Sequence, residues 1–150
     1  MAPLICKKLP ILRKPINERL LGKNKTYRGL TCGIIFGIIT AYIQFLLKTQ
    51  MSDINILNYD YWFLIGFLMG CGAMVGDLVE SYFKRVLNKE PGAPWFPFDQ
   101  LDFIVGALIF ISIIQIPPLL IVLILVVLTP LLHLGTNYIA YKAKIKQVKW

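Results

Sequence analysis

Four of the eight acidic residues in this 150-residue chain stand at or beside the facing ends of two apolar runs: Asp77, Glu80, Asp99 and Asp102. Asp77, Glu80, Ser81 and Lys84 fall at i, i+3, i+4 and i+7, which places all four on one face of a helix. Asp99 and Asp102 are again three apart, where the next helix should begin. Two acids from one helix end facing two from the next make an all-oxygen pocket of the kind that suits Mg2+ together with phosphate. Lys84 and Arg85 adjoin it, and Lys23, Lys25 and Arg28 approach it from an earlier loop. Carboxylates that hold a metal, with cations that neutralise charge on a transferring phosphoryl group, are what polyphosphate chemistry requires.

Each feature also has a plainer reading. Asp99 and Asp102 suit the N-terminus of a helix as caps. Lys84-Arg85 suits the flank that stops a membrane span, and Asp77 suits an ion pair with Lys84 or Arg85. Gly29, Gly33 and Gly37, like Gly66 and Gly70, have the spacing of helix-packing surfaces. His133 is the chain's one histidine and reads as a satisfied buried side chain. No Walker A loop, GxGxxG or HExxH is present, which leaves soluble nucleotide folds and zincins without support. Composition and spacing alone reach a polar site facing the cytoplasm in a small membrane bundle.

The elements that must position this site follow from composition. Hydrophobic residues are 57% of the chain and charged residues 16%, and the mean hydropathy is +0.64. There is too little polar surface to cover a soluble domain, and disorder, collagen-like repeats and a disulfide-rich scaffold are excluded as well. The chain reads as an all-α, multi-pass integral membrane protein, one domain over residues 1–150. Four transmembrane helices are expected at about 29–47, 62–80, 101–116 and 119–140, separated in the last case by Pro117-Pro118. Pro130 is expected to kink the fourth. Of the 16 Lys and Arg residues only Lys48 falls on the side opposite the termini, so both termini and the polar site are placed in the cytoplasm. The net charge of +8 is then topological, and no nucleic-acid partner is implied. Cys6, Cys32 and Cys71 have no metal-ligand spacing and read as free thiols.

The order of motifs narrows the chemistry. Gly76-Asp77, Ser81-Tyr82-Phe83-Lys84-Arg85, Pro91-Gly92-Ala93-Pro94 and Asp99-Gln100-Leu101-Asp102 together resemble the CTP-transferase signature of the CDP-diglyceride synthetase superfamily. The compact loop and the D-Q-L-D form are most similar to its archaeal branch, the CDP-archaeol synthases. Upstream, Gly22 to Gly29 resembles that branch's G-x-x-K-T-x-R-G, and His133-Leu134-Gly135-Thr136-Asn137 resembles its H-L-x-T-N closing helix. The resemblance covers about residues 15–150. Members usually carry a fifth, N-terminal span, and Met1-Ala2-Pro3 would fall just after it, so that first span is expected to be missing here. The broader family's H-G-G is also absent, as in the archaeal branch.

The resemblance implies Mg2+-dependent transfer of CMP from CTP to 2,3-bis-O-geranylgeranylglycerol 1-phosphate at the cytoplasmic face of the cell membrane. It implies Asp77, Asp99 and Asp102 as metal ligands, with Lys84 and Arg85 beside them in the catalytic set. Lys25, Thr26, Arg28, Ser81 and Asn137 would bind the nucleotide or lipid phosphate, and Glu80 is a further, weaker metal candidate. CTP, a lipid phosphate and the bilayer are the expected partners, and a homodimer stays open. CDP-diacylglycerol synthesis, CTP-dependent phosphorylation of a polyprenol, and a non-catalytic transport or assembly role are the rival readings.

Overall fold

The structure, a computed structural model, describes residues 14–22, 24–48, 58–89, 93 and 95–142. It is entirely helical apart from an isolated bridge between Pro15 and Thr26. A single-turn helix, α1 (Glu18–Leu21), leads into α2 (Tyr27–Leu47). A 3-10 turn at Tyr59–Tyr61 opens α3 (Trp62–Val86), followed by α4 (Phe98–Ile111) and α5 (Leu119–Lys142). Among the described residues, three helical stretches are long and apolar enough to cross a membrane: Tyr27–Leu47, Tyr59–Val86 and Leu119–Lys142. They match three of the four expected spans.

The expected span at 101–116 takes a different form. Its helix starts three residues earlier, at Phe98, and ends at Ile111. At 14 residues it extends ~21 Å, short of the ~30 Å hydrocarbon core. Pro117 and Pro118 lack the N–H a helix needs and push the preceding residue out of the helical region, so turns at 112–114 and extended chain at 115–118 replace its last turns. Pro130, by contrast, is carried inside α5 without ending it. The helix α3 also runs past the expected boundary at residue 80, so that Lys84 and Arg85 belong to its last turn, where cations complement the helix dipole.

α3 is the central element and packs against both α2 and α4. Glycine makes both contacts close. A Cβ on Gly37 would stand 2.8 Å from the Gly66 carbonyl oxygen, and one on Gly66 would stand 2.7 Å from Ile38 Cα. On the other side of α3, a Cβ on Gly72 would run into the Gly106 carbonyl, and one on Gly76 into the Asp102 carbonyl. Gly33, Gly37, Gly66 and Gly70 therefore do serve as packing surfaces, whereas Gly29 meets only Thr26 Oγ1 at 3.6 Å. The buried core is small, with Ala41, Ile65, Ala107 and Ile111 among its members. Most large apolar side chains point outward, Ile113 and Leu119 being more than 70% exposed. That pattern suits a protein whose surroundings are lipid. α5 packs only against α4 among the described elements.

The helix ends sort into two groups. At one end Lys48 pairs with Asp60, and the Asn58 N–H donates to Gln115 Oε1 at 3.0 Å. At the other end lie the N-termini of α2 and α4 and the C-terminus of α3, which carry the candidate site. Cys71 is a free thiol. Cys32 is disulfide-bonded, which corrects the reading of all three cysteines as free thiols.

Candidate functional site

The site is assembled on the last three turns of α3. Glu80, Ser81 and Lys84 are buried there although two of them are charged, and Asp77 lies half-buried one turn earlier. The shared face predicted from their spacing is therefore real. It does not pair as the plainer reading had it. Asp77 Oδ2 meets Lys25 Nζ at 2.5 Å, a partner from the loop before α2 and neither Lys84 nor Arg85. Lys84 has closer claims on it: its Nζ lies 2.8 Å from Glu80 Oε1, one turn away, and also pairs with Asp99 on α4.

The loop bearing Lys25 is held by backbone bonds. Ile16 N–H donates to the Lys25 carbonyl at 2.9 Å, and Tyr27 N–H to the Lys14 carbonyl at 3.2 Å. Gly22 turns the chain with φ 86°, a left-handed value that glycine adopts freely, and it lies against the Arg85 side chain. Thr26 caps α2, its Oγ1 accepting from Gly29 N–H at 3.2 Å. A cavity of about 330 Å³ has Asn24, Lys25, Thr26 and Asp77 at its polar end and Ile16, Leu30, Met74 and Leu78 around the rest. Arg28 stands half-buried in the first turn of α2. Lys23, Pro91, Gly92 and Pro94 lie outside the described residues.

On α4, Asp99 and Asp102 occupy the first two turns, where acids favour the helix dipole, but neither is the N-cap, which is Pro97. Asp99 Oδ2 accepts the Trp95 N–H at 2.8 Å, and Asp102 Oδ1 accepts the Phe103 N–H at 2.6 Å. Asp102 is brought beside Asp77 by the contact of its own backbone with Gly76. On the flank of this contact an apolar groove of about 750 Å³ runs between α3 and α4. Val79, Phe83, Trp95, Phe98 and Val105 line it, and the acids Glu80 and Asp102 stand at its edge.

Two candidates are placed elsewhere. Arg85 Nη1 donates to the Lys89 carbonyl, closing the turn after α3, and its Nε is buried without a hydrogen-bond partner. Asn137 is buried on α5 with its Nδ2 3.4 Å from His133 Nδ1. α5 does not pack against α2 or α3, so this structure does not bring Asn137 to the Asp77 face. Sequence reasoning missed the Trp95 N–H that orients Asp99, for which the sequence carries no signal. It also missed the i, i+4 capture of Lys84 by Glu80, which the spacing did offer.

Among the described residues, no three His, Cys, Asp or Glu side chains are gathered closely enough to form a metal cage. Mg2+ does not need one. It retains several waters and is commonly held by one or two carboxylates plus substrate phosphates. The hard oxygens of Asp77 and Asp102, on either side of a backbone contact, fit that mode.

The arrangement thus offers a cavity that brings one cation, Lys25, to one acid, Asp77, and an apolar groove on the other side of the same helix. A family described as "CarS-like: CDP-archaeol synthase" matches residues 15–150. The chain belongs to the CDP-archaeol synthase family. It is 39% identical over 133 residues to the CDP-archaeol synthase of Pyrococcus furiosus, covering 89% of this chain and 77% of that one. With the CDP-archaeol synthase of Methanocaldococcus jannaschii it shares 41% over 140 residues, again 89% and 77% of the two chains. A solved structure described as "Structural insight into an intramembrane enzyme for archaeal membrane lipids biosynthesis" superposes with a TM-score of 0.74 at 27% identity. It covers 91% of this chain and 84% of its own. As a member of the CDP-archaeol synthase family the protein is an enzyme, a CTP-dependent cytidylyltransferase of membrane lipid synthesis. That removes the non-catalytic transport or assembly reading.

Proposed function

We propose that the protein transfers CMP from CTP to an ether-lipid phosphate, 2,3-bis-O-geranylgeranylglycerol 1-phosphate, releasing pyrophosphate and a CDP-archaeol-type lipid. The observation that carries this reading is the placement of the two cavities. The cavity where Asn24, Lys25 and Thr26 meet Asp77 suits a triphosphate at that polar end, and the apolar groove that ends at Glu80 and Asp102 suits a prenyl chain entering from the bilayer. α3 separates them, and Gly76 lets the two acid-bearing helices touch.

An oxygen of the lipid phosphate attacks the α-phosphorus of CTP, one P–O bond forms, and the bond to the departing pyrophosphate breaks. The attacking group is already anionic, so no protein base is required. Magnesium, held by Asp77 and Asp102, would supply charge neutralisation for the phosphate oxygens, whereas Asp99, expected as a third ligand, has its two oxygens committed to Lys84 and the Trp95 N–H. Lys25 and Arg28 bind the triphosphate at the start of α2, with Thr26 and Ser81 as polar contacts. Binding CTP requires Lys25 to exchange its carboxylate partner for phosphate, and the half-exposed pair allows this at small cost. The site faces the cytoplasm in this reading, with α4 as a short fourth span and both termini on that side, a topology that the distribution of Lys and Arg supports.

The test uses purified protein in detergent with Mg2+, CTP and a panel of lipid phosphates, following pyrophosphate and lipid-linked cytidine. Product with the unsaturated ether-lipid phosphate, lost in Asp102→Asn, supports the reading. Preference for an ester-linked phosphatidate would reassign the lipid, and release of CDP in place of pyrophosphate would make the enzyme a kinase.

A further inference from the structure

Lys84 is a buried cation shared by two buried or half-buried acids. Its ammonium lies 2.8 Å from Glu80 Oε1 on α3 and also pairs with Asp99 Oδ1 on α4. Asp99 is fixed in turn by the Trp95 N–H at 2.8 Å. Glu80 and Lys84 are only 8% and 7% exposed. Burying three ionisable groups is costly, and a well-packed apolar set commonly serves stability as well or better. The cluster is better understood by what it holds in place. It is a side-chain link between the C-terminal end of α3 and the first turn of α4, the two elements that carry Asp77 and Asp102.

Within it Glu80 has a distinct part. It is anchored on the same helix as Lys84, at i, i+4, so it holds the ammonium at the end of a flexible four-carbon stem whatever α4 does. Asp99 then meets a fixed cation in place of a mobile one. We propose that Glu80 is a positioning residue, whose carboxylate fixes Lys84 on Asp99 and so sets how the acid face of α3 meets α4. This rests on the cytidylyl transfer proposed above.

The test combines kinetics with a distance. Glu80→Gln, Glu80→Asp, Lys84→Gln and the double variant Glu80→Gln/Lys84→Gln are assayed for kcat and for the KM of CTP. Glu80→Gln is expected to lower kcat about tenfold while KM changes less than about threefold, with partial recovery in Glu80→Asp. The double variant is expected to be no slower than Lys84→Gln alone, because Glu80 acts through that residue. Additive losses, or wild-type kcat in Glu80→Gln, would overturn the proposal. Nitroxide labels at the exposed Val86 and Phe98, on a cysteine-free background, report the α3–α4 spacing without turnover. Glu80→Gln should broaden or shift their dipolar splitting and Glu80→Asp should restore it; an unchanged splitting contradicts the proposal. A wild-type enzyme that is silent with CTP would count against the proposed function alone, since the spacing is read independently.

Discussion

Adding one methyl group to Gly76 should damage this enzyme, while the same change at Gly135 should not. Both glycines lie inside long helices, so replacing either by alanine removes the same backbone entropy, a gain of roughly 0.5–1 kcal/mol. The surroundings decide the sign. A Cβ on Gly76 would meet the Asp102 carbonyl oxygen in a clash, its carbonyl carbon at 2.8 Å and Gly106 Cα at 3.3 Å, whereas nothing lies within 4 Å at Gly135. Carbon atoms rest at about 3.5–4.0 Å, so α4 must retreat by about 1 Å. Neighbouring backbone cannot swing aside as a flexible side chain can. Overpacking of this kind costs about 1–3 kcal/mol, and at ~2–4 °C per kcal/mol for a chain of this size the melting temperature should fall by several degrees. The retreat also moves Asp102 from Asp77, and a displacement near 1 Å in a catalytic constellation can cost about a hundredfold in rate. Melting curves in detergent and steady-state CMP transfer on Gly76→Ala and Gly135→Ala measure both effects. If Gly76→Ala melts and turns over as the parent does, the close approach of α3 and α4 at this point is wrong.

Other perturbations separate stability from chemistry. Asp77→Asn breaks a half-exposed ion pair worth about 1 kcal/mol or less, so its melting temperature should stay within about 4 °C of the parent while kcat falls at least about a hundredfold; a loss of fold in proportion to activity would contradict this. Val105→Trp fills the groove between α3 and α4 and should raise the KM for lipid phosphate with little change in that for CTP, as read from paired substrate titrations. Thr26→Ala removes the cap of α2 and should cost about 1 kcal/mol, recovered in Thr26→Ser, by thermal unfolding. Chelation of magnesium should stop pyrophosphate release, and added Mg2+ should restore it.

Much of the site could be read from spacing because helices impose a fixed period. Asp77, Glu80, Ser81 and Lys84 had to share a face once α3 was helical, and the long apolar runs left little doubt of that. Long-range pairing could not be read in this way. Whether Asp77 meets Lys84 or Lys25 depends on how the Gly22 turn folds the first loop onto α3, and on Glu80 and Asp99 having already taken Lys84. The groove was foreseeable only in kind, since its shape depends on Gly72, Gly76 and Gly106 drawing two helices together. The length of α4 was misjudged for a local reason, the turns that Pro117 and Pro118 impose before α5. Asn137 illustrates the limit of motif order, which fixes a residue's place in the chain but says nothing of the angle at which α5 leaves α4.

Which phosphorus of CTP becomes bonded to the lipid phosphate defines the reaction. CTP labelled at the α-phosphorus and CTP labelled at the γ-phosphorus, each incubated with enzyme, Mg2+ and the unsaturated ether-lipid phosphate, answer it directly. Cytidylyl transfer puts α-label into the lipid in equal amount to the pyrophosphate released and leaves γ-label only in pyrophosphate. Label from the γ-position in the lipid, with CDP left in solution, would contradict it.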